Sequence, residues 1–156
     1  MKHRRYWLLK TEPKEWSWED QMASPEGTAQ WDGVKNRQAQ NNLRSMKKGD
    51  LCFFYHSGPS DRRVVGTVEV VKEWYDVNDG GGGAVDVRVV GRLRRAVELK
   101  EMKGEEGFRG FVLLKQPRLS VVPVPGDVWE RVIEMGGGYV GEDEEEEEVD
   151  EDVKDV

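Results

Sequence analysis

The amino-acid sequence predicts an α+β domain whose five or six strands curl into a mixed sheet or barrel with helices at its flanks. Short β-prone runs bounded by Gly, Pro and polar clusters recur between Arg5 and Val122. Two amphipathic helical stripes stand apart from one another instead of alternating with strands, which argues against repeated parallel crossovers. No internal repeat is evident.

The first strand is expected over Arg5–Lys10, an aromatic and aliphatic run suited to a central position and ended by Glu12 and Pro13. Ser17 is placed to cap a short helical piece ahead of a loop containing Pro25, Gly27 and Gly33. Over Arg37–Met46 the spacing of Ala39, Leu43 and Met46 predicts a helix with one buried stripe, and Gly49 follows its end. Asp50–His56 and Val64–Trp74 read as an antiparallel pair joined through Gly58, Pro59 and Ser60. The glycines Gly80–Gly83 read as a flexible connection, and Ala84–Val90 then alternates in the period of a strand. A further strand is expected over Arg118–Val122, and a helix over Pro125–Met135 presents Val128, Trp129, Val132 and Ile133 on one face.

Charge divides the chain. Hydrophobic residues make up 37% and charged residues 35%, which would leave burial marginal if the charges were spread evenly. They are concentrated instead: Glu142–Val156 holds eleven acidic residues against the single Lys154, a net charge of about −10, with no aromatic anchor. The remainder carries 23 Lys and Arg against 20 Asp and Glu, about +3, so the body can attract phosphate although the whole chain stands at −7. The expected organisation is a folded domain over 1–138 and a disordered acidic tail over 139–156, which can solubilise, fold back on the body or serve as a protein-interaction segment.

Several chemistries are disfavoured. Cys52 lies in an apolar run and reads as a buried thiol, and two histidines, His3 and His56, cannot build a multi-histidine metal site. Gly80–Gly83 lacks the Lys and Ser or Thr of a phosphate loop. No cofactor or metal is expected. No segment has the length and apolarity of a membrane span or secretory signal, so an intracellular location is expected; a nuclear or nucleocytoplasmic monomer is the expected state.

What remains is a set of aromatics and polar groups near strand ends: Trp31, Asn36, Tyr55, His56 and Ser57, with Lys10, Thr11 and Glu12 closing the first strand. An unstacked base offers a flat π-face and a polar edge, which such residue types can receive. The same residues admit plainer roles: Tyr55 as a core aromatic, and Asn36 as the cap of the helix beginning at Arg37.

The string Tyr6-Trp7-Leu8-Leu9-Lys10-Thr11-Glu12-Pro13, then Trp31-Asp32-Gly33-Val34-Lys35-Asn36, Met46-Lys47-Lys48-Gly49-Asp50, Phe53-Phe54-Tyr55-His56-Ser57 and Leu113 to Val121, strongly resembles the EVE domain. The resemblance is to the thymocyte nuclear protein 1-like family and covers about residues 5 to 135. It implies a PUA-like fold, related to the YTH readers of methylated adenosine, and non-catalytic binding of a modified base of DNA or RNA, such as a methylated cytosine or adenine. Carried over by motif, the base-binding candidates are Lys10, Thr11, Glu12, Trp31, Val34, Asn36, Tyr55, His56 and Ser57, with Arg118, Leu119 and Ser120 on the far wall. The chain departs from the family pattern at Thr11, where many relatives carry Ser, and in the Gly80–Gly83 stretch.

The expected arrangement is a single cavity in which Trp31 or Tyr55 stacks on the base, Asn36 and Ser57 read its edge, and Lys10 with nearby basic residues holds phosphate. The alternative is a PUA-like hydrolase of the ASCH type that removes acyl groups from modified nucleosides with Lys10, Thr11 and Glu12. Three consecutive strand residues converge on one atom only if the strand ends or bulges there.

Overall fold

The computed structural model describes residues 4–77 and 82–142. Six strands form one sheet in the order β2-β5-β4-β3-β1-β6. β1 (Tyr6–Thr11) runs parallel to β3 (Leu51–Ser57), whereas β4 (Arg62–Asp76), β5 (Gly83–Glu98), β2 (Thr28–Trp31) and β6 (Val121–Val124) pair antiparallel with their neighbours. The expected α+β class and strand number stand, but the barrel does not close: β2 and β6 are the two edges of an open sheet. Register shifts at four places between β4 and β5, and one between Phe54 and Tyr55 in β3, add local twist that curls the sheet short of closure.

Burial explains the order. Trp7, Leu8 and Leu9 are all buried, as are Cys52 to His56, so these apolar runs occupy the centre, covered on both faces. Asp50 fastens their starting ends by accepting hydrogen bonds from the Arg5 and Lys47 amides and from Trp7 Nε1 at 3.0–3.1 Å. Helix α1 (Trp18–Ala23) begins in a capping box between Ser17 and Asp20. In α2 (Arg37–Ser45) Ala39 and Leu43, followed by Met46 at the C-cap, form the anticipated buried stripe. The short helices α3 (Leu99–Lys103) and α4 (Val112–Lys115) were not anticipated, and α5 (Gly126–Gly136) closes the fold. Its Trp129 lies between Phe53, stacked at 3.7 Å, and Tyr6, stacked at 4.6 Å.

Three boundaries differ from expectation. The strand expected over Arg118–Val122 begins at Val121, because the chain turns at Pro117 to Ser120, with Leu119 N–H donating to Gln116 O. Pro123 is tolerated in β6 because β6 is an edge. β5 continues past Val90 to Glu98, with Leu93 and Val97 turned inward while arginines cover the outer face. Order also extends beyond residue 138: Tyr139 bridges to Leu93 and donates its hydroxyl to Thr67 Oγ1 at 2.9 Å, and Val140 N–H donates to Arg92 O. The acidic tail from residue 143 and the glycines Gly80 and Gly81 lie outside the described residues.

One close approach fixes the sheet to what covers it. A Cβ at Gly66 in β4 would stand 2.5 Å from Trp18 Cη2 and 2.8 Å from Gly91 O. Gly66→Ala is expected to destabilise the domain by about 3 kcal/mol, at the upper end of overpacking costs. Urea unfolding checks this: the midpoint should fall at unchanged slope, and a change below about 0.5 kcal/mol would contradict the packing described.

Candidate nucleic-acid interface

The site forms where β1 ends. Pro13 cannot extend the strand, and the chain folds into a turn in which Glu15 and Trp16 N–H both donate to Glu12 O. Thr11 Oγ1 donates to Trp16 O at 2.8 Å, closing that turn from the strand side. Trp18 then inserts into the core, edge-on to Phe54 at 5.2 Å, and its backbone N–H donates to His56 Nε2 at 3.1 Å. The Trp16 ring is held by Nε1 donating to Gln21 Oε1 at 2.9 Å, and the fully buried Gln21 in turn donates to Gly27 O and Val87 O. Trp31 at the end of β2 also lies edge-on to Phe54, at 5.5 Å, and is 7% exposed. Phe54 is thus a common floor for Trp18 and Trp31.

Two hollows open on either side of the Lys10–Glu12 ridge. The first, of about 510 Å³, has Trp16, Trp31 and Val34 as apolar wall. Its polar groups include the carboxylates of Glu12, Glu15 and Asp32 and the amines of Lys10 and Lys35. The loop from Asp32 to Asn36 is irregular, with Gly33 in the left-handed region at φ +75°. Among the described residues the N–H groups of Gly33, Val34 and Lys35 donate to no protein acceptor. The second hollow, of about 350 Å³, is lined by Tyr55, Ser57, Arg62, Leu113 and Arg118. Lys10, Thr11, Glu12 and Ser120 line both.

The single cavity expected for Trp31, Asn36 and Tyr55 is therefore divided. Trp31 and Val34 face the first hollow, whereas Tyr55, Ser57 and Arg118 face the second. Asn36 caps α2, accepting from Ala39 N–H at 2.9 Å, and with Leu119 lines a third hollow that shares Pro117 and Arg118 with the second. His56 lies on neither of the first two: it is 6% exposed and serves as the acceptor that anchors Trp18. Trp16 and Arg62 were missed by sequence reasoning. Their signal, an aromatic just past a strand-ending proline and an arginine opening the next strand, acquires meaning only once the loop folds back.

Electrostatics separates the groups further. Burial, reinforced by the nearby Arg62 charge, lowers the Lys10 amine to about 8, and its Nζ donates to Pro117 O at 2.8 Å. Burial pushes the Tyr55 hydroxyl up to about 12, and Arg62 opposes this. Burial, with the Asp50 charge behind it, drives the Cys52 thiol far above its usual range, leaving it inert. Many other surface arginines are matched, as in Arg63–Asp61, Arg88–Glu69, Arg92–Glu19, Arg95–Glu101 and Arg131–Glu105, while Arg5 and Arg44 lie over the rings of Trp7 and Trp74. Among the described residues Lys35, Arg62 and Arg118, which line the hollows, have no carboxylate partner.

The EVE domain model matches residues 5–135. The chain belongs to the EVE domain family. This EVE domain is 30% identical to human thymocyte nuclear protein 1 over 164 residues, covering 83% of this chain and 73% of the relative. That human protein has been solved in complex with DNA containing 5-methylcytosine, and it superposes with a TM-score of 0.79 over 85% of this chain and 97% of its own. A protein of Agrobacterium tumefaciens is 41% identical, with a TM-score of 0.81 over 86% and 94% of the two chains. The YTH domain of the Zygosaccharomyces rouxii MRB1 protein, solved with N6-methyladenosine RNA, shares the fold alone: 16% identity and a TM-score of 0.56 over 90% of each chain. These neighbours bear out the PUA-like α+β fold expected of this EVE domain.

The His56 anchor gives a pH signature. Burial lowers the imidazole below its ordinary value near 6.5; Asp61 and Glu19 oppose this, while Arg63 and Arg92 reinforce it. Protonation would also remove the acceptor for Trp18 N–H. Stability from this group is present above pH about 6.5 and is lost as pH falls through the lowered folded value, because the unfolded chain binds the proton first. Thermal melts from pH 7.5 to 5.5 should show a larger drop in the wild type than in His56→Gln, which offers a non-titrating acceptor. Equal drops would contradict the assignment.

Proposed function

We propose that this EVE domain is a non-catalytic reader of a modified base, holding one unstacked base in the first hollow. The observation that carries the reading is the pair of indoles, Trp16 and Trp31, on the walls of a 510 Å³ space whose rim mixes acceptors and donors. That volume lies within the range of small-ligand sites. Asp32 and Glu15 can accept from an exocyclic amino group such as that of cytosine or adenine, and the free N–H groups of Gly33 to Lys35 can donate to a ring acceptor. The human relative solved with 5-methylcytosine DNA makes methylated cytosine the first ligand to test, and that relative's name supports a nuclear location here too.

Stacking supplies about 1–3 kcal/mol per base, similar to the few kcal/mol needed to extrude one from a duplex, so single-stranded substrates should bind more tightly than duplexes. One buried methyl adds about 0.8 kcal/mol, a roughly fourfold preference over the plain base. Identical oligonucleotides carrying different modifications, titrated at fixed salt, test this. Trp31→Ala or Trp16→Ala should weaken binding about 5- to 100-fold and erase the preference. Unchanged affinity and preference in both variants would overturn the reading.

A hydrolase is the second reading, because β1 ends at Thr11 and all three of Lys10, Thr11 and Glu12 border both hollows. Against it, the Thr11 hydroxyl is committed to Trp16 O and is not offered to either hollow. Incubation with N4-acetylcytidine separates the two: deacetylated product, lost in Lys10→Ala, would establish the hydrolase, and binding without turnover would establish the reader.

A further inference from the structure

We infer that the second hollow is a phosphate site that receives the phosphodiester adjoining the base held in the first. The inference rests on the base-binding reading above and adds to it a separate set of residues. The two hollows differ in the chemistry of their walls. In the first, three carboxylates face two lysines around two indoles. In the second, Lys10, Arg62 and Arg118 outnumber the single carboxylate of Glu12. Arg62 and Arg118 are exposed and have no carboxylate partner among the described residues, although Arg63, next in sequence to Arg62, pairs with Asp61 at 2.9 Å. Two unpaired guanidinium forks over a hollow are suited to bidentate capture of a tetrahedral oxyanion.

The other polar wall groups fit the same ligand, with Leu99, Leu113 and Pro117 forming an apolar side. Ser57 and Ser120 contribute hydroxyls, and Tyr55, only 2% exposed, makes no side-chain hydrogen bond among the described residues. Tyr55 therefore presents a hydroxyl edge rather than a stacking face, so the second hollow has no platform for another base. Lys10 Nζ spends one donor on Pro117 O and retains two. The lowered Lys10 value, near 8, is the response of an amine that is buried beside an uncompensated guanidinium. Since Lys10, Thr11, Glu12 and Ser120 border both spaces, a base in one places its own backbone beside the other.

The test uses the full chain with short single-stranded oligonucleotides bearing a preferred modified base, and with the matching nucleoside and its monophosphates. Arg62→Gln combined with Arg118→Gln is compared with wild type and with Arg88→Gln, which removes an arginine paired to Glu69 outside the hollows. The double variant should bind the oligonucleotide at least tenfold more weakly at low salt. The slope of log affinity against log salt should shrink by roughly 1.4, two contacts at about 0.7 each. Preference for the modified base and affinity for the phosphate-free nucleoside should be retained, and Arg88→Gln should match wild type. An unchanged slope, or equal losses for nucleoside and oligonucleotide, would overturn the phosphate site while leaving base recognition standing. Failure of base recognition shows separately, as absence of any modified-base preference in wild type.

Discussion

The first hollow exists because a short loop with little secondary structure of its own is held against the sheet by one buried indole. Trp18 fills the space above Gly66, meets Phe54 edge-on and donates its backbone N–H to His56. Burying an aromatic of that size contributes about 4–6 kcal/mol by area, an upper bound that still exceeds what a loop turn gains alone. With Trp18 fixed, the preceding turn closes through Thr11 and Trp16, and the Trp16 ring is aimed by Gln21. The Trp16 part of the wall therefore depends on residues outside the hollow, which is how a binding group on a loop acquires the precision of one on a strand.

The same ridge that carries this turn divides the surface into two environments. On one side indoles and carboxylates surround a space shaped for a flat, amino-bearing ring. On the other, guanidinium groups and hydroxyls meet over a space without a stacking face. Phosphate contacts position a nucleic acid and base contacts specify it. A layout that keeps the two apart, yet contiguous, lets the charged backbone steer the strand without neutralising the groups that read the base.

Legibility in the sequence followed how local the cause was. β1, the β3–β4 pair, α2 and α5 announce themselves through apolar period and through Pro13, Gly49 and Pro125 at their ends. The second half of β5 did not, because Arg92, Arg94 and Arg95 on its outer face hide the inward Leu93 and Val97. The Pro117 to Ser120 segment looked extended but turns, with Leu119 N–H donating to Gln116 O, and only Ser120, which accepts from Lys10 N–H, joins β1 ahead of β6. At the site, Lys10 to Glu12, Trp31 and Val34 were legible as a strand end and a motif. For Asn36 the plainer of its two roles, the helix cap, is the one the structure displays. Trp16 and Arg62 were invisible because their position depends on Trp18 and on where β4 starts, both tertiary facts.

The central claim, that one unstacked base enters between Trp16 and Trp31, is open to a single spectroscopic test. The chain has six tryptophans, hence six indole N–H resonances in a ¹⁵N-labelled sample. On titration with a modified-base oligonucleotide, the Trp16 and Trp31 signals should move together and saturate at one affinity, while those of Trp7 and Trp129 in the core and Trp74 beside Gly83 stay in place. Saturable binding that leaves Trp16 and Trp31 unmoved would contradict the account.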